Sequence, residues 1–148
     1  MITGDLIHAE HLLTEIEHRL SIHREQWHAW EDSDLTRFNT ALLQNSTAQV
    51  PASLAPLLQL SQNYYDATRG LFNPALGKLI AAYGFHGREA DMSMVAAIRH
   101  DIPGMHNLKI DNEIAVSSNP HLQIDLGGIA KGYAVGLISR YLDDNGID

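Results

Sequence analysis

Ile124-Asp125-Leu126-Gly127-Gly128-Ile129-Ala130-Lys131-Gly132-Tyr133-Ala134 reads as the end of a strand, a glycine turn and the start of a helix. An acidic residue closes the strand and a lysine falls in the first helical turn. Working back, His121-Leu122-Gln123-Ile124-Asp125 alternates in strand fashion, which predicts an extended run into the turn. Leu108-Lys109-Ile110 and Ile114-Ala115-Val116, separated by Asp111-Asn112-Glu113, predict a β-hairpin. Working forward, the helix is expected to stop near Asn145-Gly146. Such a stop ordinarily leads into another element, so residues 1–148 are read as part of a longer domain.

Before residue 103 the apolar period is helical. Thr3-Gly4-Asp5-Leu6 opens an amphipathic helix with Leu6, Leu13, Ile16 and Leu20 on one side and Glu15, Glu17, His18 and Arg19 on the other. Gln26-Trp27-His28-Ala29-Trp30 breaks that pattern and is expected to be extended or loop. Asp32-Ser33 predicts the cap of a short helix carrying Leu35, Phe38 and Leu42. A helix over about 53–67 would bury Leu54, Leu57, Leu58, Tyr64 and Tyr65 and stop at Arg69-Gly70. Asn73-Pro74 predicts a further start, with Asn as cap, Pro at the first helical position, then Leu76, Leu79 and Ile80. Residues 84–92 read as loop, and Ser93 as the cap of a helix to about His100. The expected fold class is α+β, a mixed or antiparallel sheet packed with helices in a single unit without repeats or linkers.

At 148 residues the chain is long enough for one sizeable core. With 45% apolar and 19% charged residues it is an ordinary globular mixture, which argues against disorder. No apolar run approaches the roughly 20 residues of a membrane span, and nothing at the start reads as a signal peptide. Ten Lys and Arg against 18 Asp and Glu give a net charge of -8 with no basic cluster, which argues against general nucleic-acid binding. With no cysteine, disulfides, thiolate zinc sites and a Cys nucleophile are excluded.

The helix start after Gly127-Gly128 suits a phosphate or other anion, since its backbone N–H groups are free and its dipole end is positive. It matches neither the Gly-x-x-x-x-Gly-Lys-Ser/Thr loop nor Gly-x-Gly-x-x-Gly. Gly128, Gly132 and Gly136 also share one helix face, as close packing against another backbone would require. Spacing leaves both readings open. Trp30 beside Glu31, Asp32 and Asp34 has the makings of a stacking platform or of a packed rim. Gly70-Leu71-Phe72-Asn73-Pro74 is accounted for by a turn and a cap. His8, His11 and His18 fall on the exposed side of the first helix, and no His-Glu-x-x-His occurs, so a solvated face is expected. No nucleophile elbow is present, and no catalytic residue stands out.

Three segments in this order resemble the ApbE family of FAD:protein FMN transferases. They are His28-Ala29-Trp30-Glu31-Asp32-Ser33-Asp34-Leu35-Thr36-Arg37-Phe38-Asn39, Thr68 to Gly77, and Gln123 to Ala134. The resemblance implies an ApbE-like fold and transfer of the FMN half of FAD, with Mg²⁺, to a threonine hydroxyl of an acceptor protein, releasing AMP. It implies that Trp30 stacks on the isoalloxazine and that Leu71, Phe72 and Asn73 line the FAD pocket. It further implies FAD contacts from Asp125 and Lys131 and a metal contact from the backbone carbonyl of Gly128. The chain departs from the family pattern in a loop one residue shorter after Trp30 and in Asn73-Pro74 where Asp-x is usual. The family's remaining metal ligands and first strand are not matched within residues 1–148. The isolated chain is therefore expected not to transfer FMN. A module that only binds FAD, or a structural remnant, is the alternative, and an exposed apolar edge suggests a homodimer. The resemblance also implies a lipid-anchored parent protein in the periplasm or cell envelope.

Overall fold

The computed structural model describes residues 2–87 and 89–147. In chain order the elements are α1 (Ile2–Trp27), α2 (Asp34–Asn45), β1 (Thr47–Gln49), α3 (Ala55–Ala67), α4 (Gly77–Ala82), α5 (Met92–His100), β2 (Leu108–Asp111), β3 (Ile114–Ser117) and α6 (Ala130–Asp144). The three strands form one antiparallel sheet in the order β1-β3-β2, with Ala48 opposite Ala115 and Leu108 opposite Ser117. The expected α+β class is the one observed.

The main core lies between this sheet, α2, α3 and the segment before α6. Leu35, Phe38 and Leu42 of α2 meet Leu54, Leu57 and Leu58, together with Ala115, Leu122, Ile124 and Leu126. A smaller cluster of Ala82, Val95 and Ile98 joins α4 to α5. The hairpin forms where alternation placed it. Its two-residue turn, Asn112-Glu113, has φ of 47° and 65°, the left-handed pair whose twist matches right-twisted strands. β1 was not anticipated, because three residues are too few for alternation to show. It forms because Ser46 turns left-handed at the end of α2 and delivers the chain to the free edge of β3.

Several expectations are corrected. Gln26 and Trp27 are helical rather than extended or loop, because Trp27 is anchored. Its indole is buried and donates to the Ser53 carbonyl at 3.0 Å, and His23 stacks on it at 4.2 Å. The predicted apolar face of α1 is not a buried one. Leu6, Leu13 and Leu20 are 59%, 61% and 46% exposed, while Leu12 turns inward. α3 begins at Ala55, after a turn in which the Pro51 carbonyl accepts from Leu54 and Ala55, and Tyr64 stays half exposed.

Asn73 does not cap a helix. Its Oδ1 accepts from Ala75 N in a local turn, and α4 starts only at Gly77. Asp91, not Ser93, caps α5, accepting from the backbone of Ser93 and Met94. Within 84–92 a single 3₁₀ turn, Phe85–Gly87, interrupts the expected loop, and α5 has begun by Met92. The strand predicted over 121–125 does not form as such: the segment makes one parallel bridge, Gln123 with Leu76, and buries Leu122 and Ile124 while His121, Gln123 and Asp125 stay partly exposed. The helix stop near Asn145-Gly146 holds, but the glycine face does not pack. A Cβ at Gly132 or Gly136 would meet nothing within 4 Å, and only Gly128 is closely approached.

Candidate flavin site

The loop that carries Trp30 is held from both ends. Ser33 Oγ, fully buried, donates to the His28 carbonyl at 2.6 Å and accepts from Thr36 N at 3.0 Å. Thr36 Oγ1 returns the cap by accepting from Ser33 N at 2.9 Å. His28 Nδ1 accepts from Glu31 N at 3.0 Å and Trp30 N at 3.4 Å, which requires that nitrogen to be unprotonated. The indole lies edge-on to His28 at 5.8 Å and remains 46% exposed, so the hydrogen-bonded loop carries a half-exposed aromatic.

The second segment is tied down by its polar groups. Gly70 takes φ of +82° beneath the Tyr65 ring, a backbone conformation that suits glycine. Thr68 Oγ1 accepts from Phe72 N at 3.0 Å, and Asn73 Nδ2 donates to the Pro103 carbonyl at 2.9 Å. Between these ties Leu71 is 92% exposed, and Phe72 meets Tyr64 edge-on at 6.0 Å.

The third segment approaches the other two. Asp125 N donates to the Pro74 carbonyl and Gly77 N to the Gln123 carbonyl, each at 2.8 Å. Asp125 Oδ1 accepts from Gly127 N at 2.7 Å, which shapes the turn into α6. A side chain at Gly128 would stand 3.1 Å from the Phe72 ring, so the missing Cβ lets the two loops meet. Trp30 and Asp125 share a small cavity of about 30 Å³ with Ala29, Gly77, Gln123 and Ile124.

The sites expected from sequence therefore fall into four places. Trp30 and Asp125 come together, Phe72 and Gly128 come together, and Asn73 binds backbone beneath the exposed Leu71. Lys131 lies apart from the Trp30 cavity, lining an apolar groove between α1 and α6 with Ile16, Leu20, Val135 and Ile138. His8, His11 and His18 are exposed on α1. Among the described residues no three His, Cys, Asp or Glu side chains gather as a metal site, and Asp125 already has one oxygen engaged. The residues present thus do not complete a magnesium site.

Sequence reasoning missed Asn39, His28 and Gly77. His28 had a local signal, an Asx-like acceptor two and three residues before the N–H groups it binds. Asn39 had none, because its partner lies 85 residues away.

A model of the ApbE family matches residues 3–148. The chain belongs to the ApbE family. It is 38% identical over 135 residues to the FAD:protein FMN transferase of Rhodobacter capsulatus, covering 88% of this chain and 26% of that protein. It is 28% identical to the FAD:protein FMN transferase of Vibrio cholerae, covering 94% of this chain and 41% of that protein. Among solved structures, the apo flavinyl transferase ApbE of Pseudomonas stutzeri superposes with a TM-score of 0.80 at 29% identity, over 95% of this chain and 46% of that one. The Vibrio cholerae ApbE H257G mutant gives 0.77 at 26% identity, over 94% and 49%. The chain thus spans about half or less of the length of these ApbE relatives.

Proposed function

We propose that this chain carries flavin-binding elements of an FAD:protein FMN transferase. In the reaction so proposed, a threonine hydroxyl oxygen of an acceptor protein bonds to the FMN phosphorus of FAD. The bond from that phosphorus to the bridging oxygen breaks, AMP leaves with the bridge, and the hydroxyl proton is released to water. The observation that carries the reading is that Trp30 shares a cavity with Asp125 beside the Gly127-Gly128 turn, in a chain of this family.

The residues present fit a flavin in a limited way. A cavity of about 30 Å³ has room for a water and not for a tricyclic ring, so the ring would lie outside it, against the solvent-exposed part of Trp30. Gly127 and Gly128 are solvent-exposed just before the start of α6, with Gly127 N already bonded to Asp125 Oδ1 and the Phe72 ring against Gly128. Magnesium dependence has less behind it. Gly128 would contribute one carbonyl oxygen, and the other ligands are not among the described residues.

Titration of the chain with FAD, read by flavin and tryptophan fluorescence, tests the reading. Saturable quenching is expected, with Trp30→Ala weakening it about tenfold through lost stacking and apolar contact. Asp125→Asn is expected to weaken it as well, by replacing an acceptor oxygen on the cavity wall with an amide N–H while Oδ1 still closes the turn on Gly127 N. No saturable binding by the parent chain would overturn the reading and leave a structural role.

A further inference from the structure

We propose that Asn39 is the positioning residue of the flavin site, holding Asp125 in place relative to Trp30. Asn39 sits on α2, is 2% exposed, and sends its whole amide to one residue. Nδ2 donates to the Ile124 carbonyl at 2.8 Å, and Oδ1 accepts from Ile124 N at 2.8 Å. The flanking backbone groups point the other way. Gln123 N reaches the Ala75 carbonyl at 3.4 Å, Asp125 N reaches the Pro74 carbonyl at 2.8 Å, and the Gln123 carbonyl accepts from Gly77 N. Alternation of this kind is what an extended segment shows between two neighbouring strands. Here one neighbour is the 74–77 segment and the other is a single asparagine side chain.

That substitution has a geometric result. With Ile124 pinned on one edge and Gln123 and Asp125 on the other, the Ile124 side chain is fixed in the core at 1% exposure. Gln123 and Asp125 also line the cavity beneath Trp30. The same helix holds Trp30, since Ser33, which caps α2, binds the His28 carbonyl, and His28 binds Trp30 N. α2 is therefore the common mount for both walls of the cavity. Asn39 is the link to the second wall.

The proposal rests on the flavin reading above, and the test separates the two. FAD affinity is measured for the parent chain, Asn39→Ala, Asp125→Asn and the double variant, each well below its melting midpoint. Ile98→Val, in the separate α4–α5 cluster, is the control for lost stability alone. Asn39→Ala is expected to weaken FAD binding about tenfold, as removal of a buried hydrogen-bonding partner does. In its background Asp125→Asn is expected to add less than about twofold, because residues acting through one another are not additive. Ile98→Val is expected to lower the melting midpoint and leave FAD affinity unchanged. Unchanged affinity in Asn39→Ala, or fully multiplicative effects of the two changes, would overturn the proposal. If the parent does not bind FAD, the flavin reading fails and amide exchange decides the positioning. Faster exchange at Ile124, Asp125 and Gly127 in Asn39→Ala upholds it, and unchanged exchange overturns it.

Discussion

Ser33 uses one hydroxyl for two bonds, one capping α2 and one to the His28 carbonyl. Ser33→Ala is therefore expected to lower stability by about 1–2 kcal/mol, the upper range for a lost cap, in a denaturant titration. It should also loosen the Trp30 loop. At His23, burial against Trp27 and the nearby Arg19 charge lower the pKa below 6.5, against an opposing hydrogen bond with Gln26. The folded chain then disfavours the imidazolium, and the unfolded chain takes up the proton first as pH falls. Stability is expected to be full above about pH 6.5 and to fall as pH drops through that value toward the lower folded pKa. Melting midpoints across this range should show a shallower slope for His23→Phe, which keeps the ring stack. An identical slope would rule out His23 as a contributor.

At the scale of elements, the chain shows where patterning succeeds and where it misleads. Local chemistry was enough for α2, the hairpin, the Arg69-Gly70 stop and the Asn145-Gly146 stop. The Asn73-Pro74 start misled, because a side chain that caps a helix equally well closes a local turn and donates to Pro103. The strand pattern over 121–125 is correct in burying Leu122 and Ile124 but not about pairing, since a side chain stands in for one neighbour. α4 meets this segment at Gly77, where a Cβ would stand 2.8 Å from the Gln123 carbonyl. Both sides of that contact are backbone, so Gly77→Ala must displace one of them. A loss of about 1–3 kcal/mol is expected, as for other overpacked sites, measurable as a lower denaturation midpoint.

Across the whole molecule, α1 and α6 leave an apolar face in the open. Leu6, Leu13 and Val135 are 59%, 61% and 68% exposed, and a groove lined by Ile16, Leu20 and Ile138 runs between the helices. Large exposed apolar side chains beside an apolar groove give a hydrophobic probe a place to bind. The native chain is expected to bind a hydrophobic dye such as ANS. Leu13→Lys with Val135→Lys should reduce that signal without lowering the melting midpoint, and an unchanged signal would place the dye elsewhere.

Period, caps and glycine turns act over a few residues, which is why the fold class, the main helices, the hairpin and the Asp125–Lys131 motif are legible in the chain alone. It also carried the resemblance to the ApbE family, through three short segments read in order. Long-range packing alone brings Trp30 and Asp125 to one cavity and puts Lys131 in the α1–α6 groove. Only it revealed Asn39 as the pin on Ile124, and Leu12 rather than Leu13 as the inward face of α1. The reason is physical: a hydrogen bond across 85 residues and the burial of a helix face depend on what the rest of the chain brings alongside, which no local pattern encodes.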